Sequence, residues 1–433
     1  MSESLTGAKA QWPKLGGTTM DGEIAFHATV FLVALLILFS RRPDALLNPQ
    51  FYAEDGPFWF GDAYHWGWRC LLMPCAGYLQ TVCRMIGLLS LLFSFALAPL
   101  VMNLCALAVQ ILPVNILLSS RFSTVPIDTR LLGCLIYLGV PNSFEIHANT
   151  TNIQWHLALA GFLLLLAPPA CGRAGRIFDL GIWGLSVLDG PLGIFLIPVA
   201  GVLRWKRRDK QSTAALSVLV PGAFLQILVI LFSTSRTSLP NGATIERLTR
   251  ILGGQVFLSS LMGVRTFIQL YFVQVHFLFL AQVTALVIGL SVIAYAAFYG
   301  PLELKLFLLY AGTVVTLALI RPYVVMQGNY DEEWRVMLIP GIGNRYWFFP
   351  MLAFLASLVW MASGTAPSRR PARYAALALL ALLPIGICRD WVYKPFPDLD
   401  FREVAAHFER AAPGTKITVP VNPVVFTMQL TKR

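Results

Sequence analysis

Two adjacent acids, Glu54 and Asp55, stand inside the aromatic stretch Phe51-Tyr52-Ala53-Glu54-Asp55-Gly56-Pro57-Phe58-Trp59. Neighbouring carboxylates repel, which lifts one of them toward the range useful for a general base. An ionised carboxylate close to a bilayer is also costly unless it is solvated or has a task. The same pair reads equally as acids at a helix N-terminus in an interfacial loop, with Gly56-Pro57 as turn punctuation. A second polar island runs from Glu145 to His156 and holds His147, Asn149, Asn152, Gln154 and Trp155 between two apolar runs. It reads as the lining of a polar cavity or as a plain connector. In a third place, Asp189-Gly190-Pro191, an acid interrupts an apolar run. The fourth is the loop 321–346, with Arg321, Asp331-Glu332-Glu333, Arg335 and Asn344-Arg345-Tyr346. Its arginines can hold phosphate oxygens in a charge-assisted fork. Arg345 borders an apolar run, where a lipid-linked phosphate would lie, although each arginine also reads as a snorkelling anchor.

The elements that must position these groups are membrane helices. Of 433 residues, 57% are hydrophobic and only 13% charged, against about 25% charged in an ordinary soluble domain. A larger core does not explain that shift; an outer surface facing lipid does. The reading is an all-α polytopic transmembrane bundle of about 10–12 spans with a small external α/β tail. Apolar runs fall at 24–40, 79–96, 99–120, 130–144, 153–169, 177–203, 213–232, 266–299, 302–320, 345–363 and 374–389. The run 177–203 is broken at Asp189-Gly190-Pro191, and non-helical backbone at that depth is tolerated only against protein or a water-filled cavity.

Orientation follows the basic connectors. Arg204-Trp205-Lys206-Arg207-Arg208 and Arg369-Arg370-Pro371-Ala372-Arg373 are expected on the cytoplasmic side. Residues 1–22 are then a cytoplasmic segment before an uncleaved first span. Residues 23–390 form the transmembrane domain, with an external connector at 41–78, and 391–433 form an external tail. The parity of the first half has two solutions. The favoured one places 145–152 and 188–191 outside and makes one earlier run interfacial. In the tail, Phe401, Val404, Ala405 and Phe408 recur at helical spacing and Ile417-Thr418-Val419 reads as a strand. About 40 residues are too few for an independent core, so the tail is expected to dock on the outer face of the bundle.

The net charge of +11 comes without a basic amphipathic face, which argues against nucleic acid. Seven cysteines without a CxxC pair and six histidines without ligand spacing give no metal signature. No P-loop, Rossmann fingerprint, GxSxG or HExxH occurs, which weighs against an ATP-driven pump.

One apolar helix followed by a long external loop with an acidic pair resembles the plan of the GT-C glycosyltransferases, polytopic enzymes that use polyprenyl-phosphate-linked sugars. More narrowly, several stretches are similar to a family of bacterial inner-membrane proteins described as glycosyltransferases. They are Ala53-Glu54-Asp55-Gly56 to Gly77-Tyr78-Leu79, Asn152-Ile153-Gln154-Trp155, Asp189-Gly190-Pro191 with Pro198, Asn344-Arg345-Tyr346, and Pro413-Gly414 with Val419-Pro420-Val421-Asn422-Pro423. The resemblance spans most of the chain, and only its acidic loop is specific to a mechanism. It implies Asp55 as the catalytic carboxylate with Glu54 beside it, and Arg345, Arg321 or Arg335 on the donor phosphate. His147, Asn149, Asn152, Gln154, Trp155, Asp189 and Tyr346 would line the substrate cavity. The implied partners are a polyprenyl-phosphate sugar donor, a glycan or lipid acceptor of the cell envelope, and membrane lipids. A divalent metal, Mg or Mn, is used by some members and not by others, and Glu54, Asp55 and Asp189 are its candidate ligands. The tail is far smaller than the soluble domain many members carry, so the acceptor class stays open. A transporter or flippase for a lipid-linked saccharide is the alternative, but it predicts paired broken helices in the two halves, and only one clear break is found. A non-catalytic envelope scaffold is the third reading, and it predicts that Asp55→Asn leaves function intact.

Overall fold

A computed structural model describes residues 20–233, 239–273, 277–322, 331–364 and 366–433. The N-terminal segment, apart from its last residues, and part of the 321–346 loop lie outside the described residues. The helices are α1 (Met20–Arg41), α2 (Thr81–Ser90), α3 (Ala98–Leu118), α4 (Ile127–Gly139), α5 (Ile153–Leu166), α6 (Arg173–Leu188), α7 (Leu196–Arg207), α8 (Lys210–Phe232), α9 (Leu278–Tyr299), α10 (Leu302–Ile320), α11 (Asn344–Ser363), α12 (Arg370–Leu380), α13 (Leu383–Asp390) and α14 (Phe401–Arg410). Short helical turns fill many of the connections. Among the described residues, seven helices are long and apolar enough to cross a membrane: α1, α3, α8, α9, α10, α11 and the nearly continuous α12–α13. The architecture is polytopic and helical.

Two ends of the bundle can be told apart by the contacts made there. At one end Arg121, after α3, pairs with Asp179 of α6 at 2.8 Å and donates to the carbonyl of Pro168 after α5. Arg207, ending α7, donates to the Leu165 and Leu166 carbonyls and pairs with Glu303 of α10 at 3.3 Å. Arg204, Lys206, Arg208, Arg369, Arg370 and Arg373 belong to the turns of this basic end. The other end collects the 42–80 connector, the 140–152 loop, the 189–191 break and the tail.

The parity of the first half is resolved by α2. Thr81, its first residue, donates to the Leu188 carbonyl at 3.0 Å, and Phe95, just past it, packs on Phe51 and Phe401. The chain therefore enters and leaves α2 at the same end, opposite the basic one, and the loops 145–152 and 188–191 share that end. Gly87 makes this packing possible, because a Cβ there would stand 2.1 Å from the Trp59 carbonyl oxygen.

The expected run 266–299 is not one helix. Val264–Phe272 is a separate helix that continues a layer built from Ile245–Arg250, a π-helical Ile251–Leu258 and Ser259–Met262. This layer is tied to the connector end: Asn241, before it, donates to the Leu319 and Ile320 carbonyls, and within it Val264 N donates to Asp390. Only α9 then returns to the basic end. Both helices are apolar, so hydropathy alone joined them.

In the tail, β1 (Lys416–Val421) pairs antiparallel with β2 (Phe426–Thr431), with Val419 opposite Met428. Phe401, Ala405 and Phe408 of α14 face this hairpin and are buried. The tail completes its core with rings from the connector: Phe51 lies 5.3 Å from Phe401, and Phe95 lies 4.7 Å from Phe408. Burial of each such ring is worth about 2 kcal/mol, so the tail and the acidic loop stabilise one another.

Candidate functional site

The acidic loop is fixed from two sides. Asn422, after β1, donates its N–H to the Phe51 carbonyl at 3.1 Å and accepts from Ala53 N–H at 2.5 Å, so the tail adds a short strand to residues 51–53. The chain then turns through Ala53 at a positive φ of 46° into a single 3₁₀ turn, Ala53–Asp55. Gly56 lies so close to the tail that a Cβ would meet Val421 Cγ2 at 2.7 Å.

From that turn Asp55 points inward and is 1% exposed. Its Oδ1 accepts from Thr151 N–H and Thr151 Oγ1, both at 2.8 Å, and its Oδ2 accepts from Thr150 N–H at 3.3 Å. Burial lifts its pKa to about 7, although those three hydrogen bonds pull the other way. Trp59 Nε1 donates to the same Thr151 hydroxyl at 3.1 Å. Asp55 therefore fastens the acidic loop to the start of α5. Glu54, the next residue back, is half-buried, and its carboxylate takes no hydrogen bond or ion pair among the described residues.

Asp189 is also a fastener. Completely buried, it accepts from Val82 N–H at 2.8 Å and Cys83 N–H at 3.3 Å, capping the N-terminus of α2. Between the two acids, Cys83 Sγ donates to the Thr150 carbonyl at 3.2 Å. Asp55 thus spends both oxygens on Thr150 and Thr151, and Asp189 spends its Oδ1 on backbone amides. Among the described residues no group of three His, Cys, Asp or Glu side chains is placed to hold a metal ion. Glu54, Asp55 and Asp189 do not fit that role.

The polar island divides in two. His147 is buried, with Nε2 on the Leu38 carbonyl at 3.0 Å and Nδ1 meeting Gln110 Nε2 at 3.2 Å. Desolvation, reinforced by Arg41 and Arg42, holds its pKa well below the usual range, so it is a neutral structural imidazole. Asn149 and Asn152 close their own loop: both donate to the Glu145 carbonyl, at 2.7 and 2.9 Å, and Asn149 Oδ1 accepts from Asn152 N–H at 3.0 Å. Gln154 and Trp155 lie elsewhere, on the first turn of α5. The Gln154 amide makes no hydrogen bond among the described residues and sits against Gly190, where a Cβ would stand 2.0 Å from its Oε1. Gly190 has φ 104°, so both space and backbone demand glycine there. Trp155 is buried between Tyr346 and Phe349, at ring distances of 6.1 and 5.7 Å, and its Nε1 finds no hydrogen-bond partner among the described residues.

Of the three arginines, the structure brings only Arg345 to this place. It forms an ion pair with Glu145, donates its backbone N–H to the same carboxylate at 3.2 Å, and lies 4.7 Å from the Tyr346 ring centroid. Glu54 and Tyr78 are within its electrostatic reach. Arg335 instead pairs with Asp331 at 2.9 Å on an exposed turn, and Arg321 is exposed and makes no side-chain hydrogen bond or ion pair among the described residues.

The assembled site is therefore Glu54, Arg345, Glu145, Tyr346, Gln154 and Trp155, with Tyr52 and Tyr78 at its edge. Sequence reasoning missed Glu145, Tyr52, Tyr78 and the two threonines. Glu145 stood in the quoted island, but its partner is 200 residues away and no spacing rule connects them. Comparison of the chain with protein-family models and with curated proteins finds no match to either.

Proposed function

We propose that the chain is a GT-C-like membrane glycosyltransferase that moves a sugar from a polyprenyl-phosphate-linked donor to an envelope glycan or lipid acceptor. The observation that carries the reading is Glu54: a carboxylate without a hydrogen-bond or ion-pair partner among the described residues, on a loop clamped by Asp55 and the tail, within electrostatic reach of Arg345 at one end of a polytopic bundle. A group held that firmly yet left unused by the fold suits positional catalysis. The basic end is read as cytoplasmic, which puts the site and the tail on the external face of a bacterial inner membrane.

In this mechanism Glu54 takes the proton of an acceptor hydroxyl while that oxygen bonds to the anomeric carbon. The bond from that carbon to the donor phosphate oxygen breaks, its electron pair leaves on the polyprenyl phosphate, and configuration inverts. Arg345 offsets the charge that grows on the departing phosphate. Asp55 acts through Glu54 as a positioning residue. Gln154 and Trp155 offer hydrogen-bonding groups that the fold leaves unused.

The test is a membrane transfer assay with radiolabelled polyprenyl-phosphate sugars, comparing the parent with Glu54→Gln and Asp55→Asn at matched expression. Glu54→Gln is expected to lose about 10²–10⁴-fold in rate with normal insertion. Full activity in both variants overturns the mechanism, and no transfer by the parent from any donor moves the reading to transport.

A further inference from the structure

Arg41 ends α1 and Arg42 follows it, and the fold treats the two differently. Arg41 is 1% exposed and satisfied by carbonyls: Leu138 at 2.6 Å, Val140 at 3.1 Å and Trp391 at 3.3 Å. It shows what a structural buried arginine looks like in this protein. Arg42 is 2% exposed, but among the described residues its side chain makes a single hydrogen bond, Nη1 to the His147 carbonyl at 3.3 Å, and its Nε finds no partner. It forms no ion pair among the described residues. The nearby acid, Asp44, instead accepts from Phe396 N–H at 3.1 Å. A buried charge without an anion is costly, and ring contacts with Phe396 at 4.4 Å and Tyr393 at 5.4 Å offset only part of that.

Arg42 also adjoins the site. Phe396, under its guanidinium, stacks on Tyr52 at 5.0 Å, and Tyr52 lies within electrostatic reach of both Arg42 and Arg345. The Tyr52 hydroxyl makes no hydrogen bond among the described residues.

We infer that Arg42 is a second anion-binding guanidinium of this site, acting with Arg345 and the Tyr52 hydroxyl to hold phosphate oxygens. That the anion is the phosphate of a prenyl carrier rests on the transferase reading; the anion site itself does not. Guanidinium forks match phosphate geometry, and an anion between them supplies the counter-charge that the fold withholds from Arg42.

The test uses the full chain in detergent micelles, with the thermal midpoint read against farnesyl phosphate, farnesol and inorganic phosphate for the parent, Arg42→Met and Arg42→Lys. Farnesyl phosphate is expected to stabilise the parent more than farnesol does. Arg42→Met is expected to weaken that binding about tenfold or more, while its midpoint without phosphate stays at or above that of the parent because an unpaired charge has gone. Stabilisation by inorganic phosphate as well supports a site for soluble phosphate; stabilisation by farnesyl phosphate alone supports a lipid headgroup. Equal effects of farnesol and farnesyl phosphate overturn the proposal, as does an absence of response in the parent. An Arg42→Met variant with a lowered midpoint and parental phosphate affinity makes Arg42 a structural pillar and also overturns it. If Arg42→Met does not fold, parental affinity in Arg42→Lys overturns it and weakened affinity supports it. Phosphate binding that depends on Arg42, in a protein that transfers no sugar, refutes the transferase reading and leaves this one standing.

Discussion

Asp55→Asn keeps the shape of a buried side chain and removes its ability to ionise, which makes it a sharp probe of how the acidic loop is held. In the folded protein the carboxyl titrates at about 7, against 3.8 for a free aspartate. Below 3.8 both folded and unfolded chains carry the proton, and the residue adds no pH dependence. Between the two values the unfolded chain loses its proton first, so the folded state binds more protons and stability falls as pH rises. Above about 7 the penalty is constant, and a shift of this size corresponds to about 4 kcal/mol. Asparagine has no such term. The stability of the parent minus that of Asp55→Asn should therefore fall by about 3 kcal/mol between about pH 5 and about pH 8. Denaturant titration of both proteins in mixed micelles across that range measures it, and because other groups titrate equally in both, only the difference matters. A flat difference would mean that Asp55 is not desolvated as described. A difference that grows with pH would mean that the three hydrogen bonds outweigh burial and that Asp55 is a permanently ionised clamp.

The other predictions concern packing at the same end of the bundle. Gly56→Ala should destabilise the acidic loop by driving a Cβ into Val421, and Val421→Ala in the same chain should recover part of the loss, with a coupling of about 1 kcal/mol in a double-mutant cycle. Gly190→Ala, meeting Gln154 Oε1 at 2.0 Å with a φ of 104°, should cost about 2 kcal/mol and lower transfer, read as thermal midpoint and rate. Glu145→Gln breaks the pair with Arg345 and should destabilise by about 1–3 kcal/mol, with Arg345→Gln adding less than its own single effect.

Composition and apolar runs made the helical membrane architecture legible, because lipid-facing helices must be apolar along their length. Chain reversals that are themselves apolar were not legible. Leu91-Leu92-Phe93 turns the chain after α2, so hydropathy reads on through it. The polar breaks were legible as places where chemistry can gather. Their pairings were not, since Asp55 with Thr150 and Thr151, Asp189 with Val82, and Glu145 with Arg345 each join residues about a hundred or more positions apart. Arg321 and Arg335 shared the residue type of Arg345 and nothing in the sequence separated them; only the place of each along the folded loop does.

The division of labour between Glu54 and Asp55 follows from the turn that carries them. In a 3₁₀ turn successive side chains diverge by about 120°, so two adjacent acids cannot share one environment. If one is packed into the bundle, the other is turned about 120° from it. The fold gives the inward position to the shorter side chain, whose carboxylate reaches the amides that open α5 with few rotatable bonds to fix. The longer one is left at the surface of the site beside Arg345. Ala53, at a positive φ, is where the chain leaves the extended segment that Asn422 holds and enters this turn. Sequence adjacency suggested mutual repulsion that lifts one of the two; the backbone turns the pair into an anchor and a carboxylate the fold leaves open among the described residues, and the anchor is what keeps the open one in place.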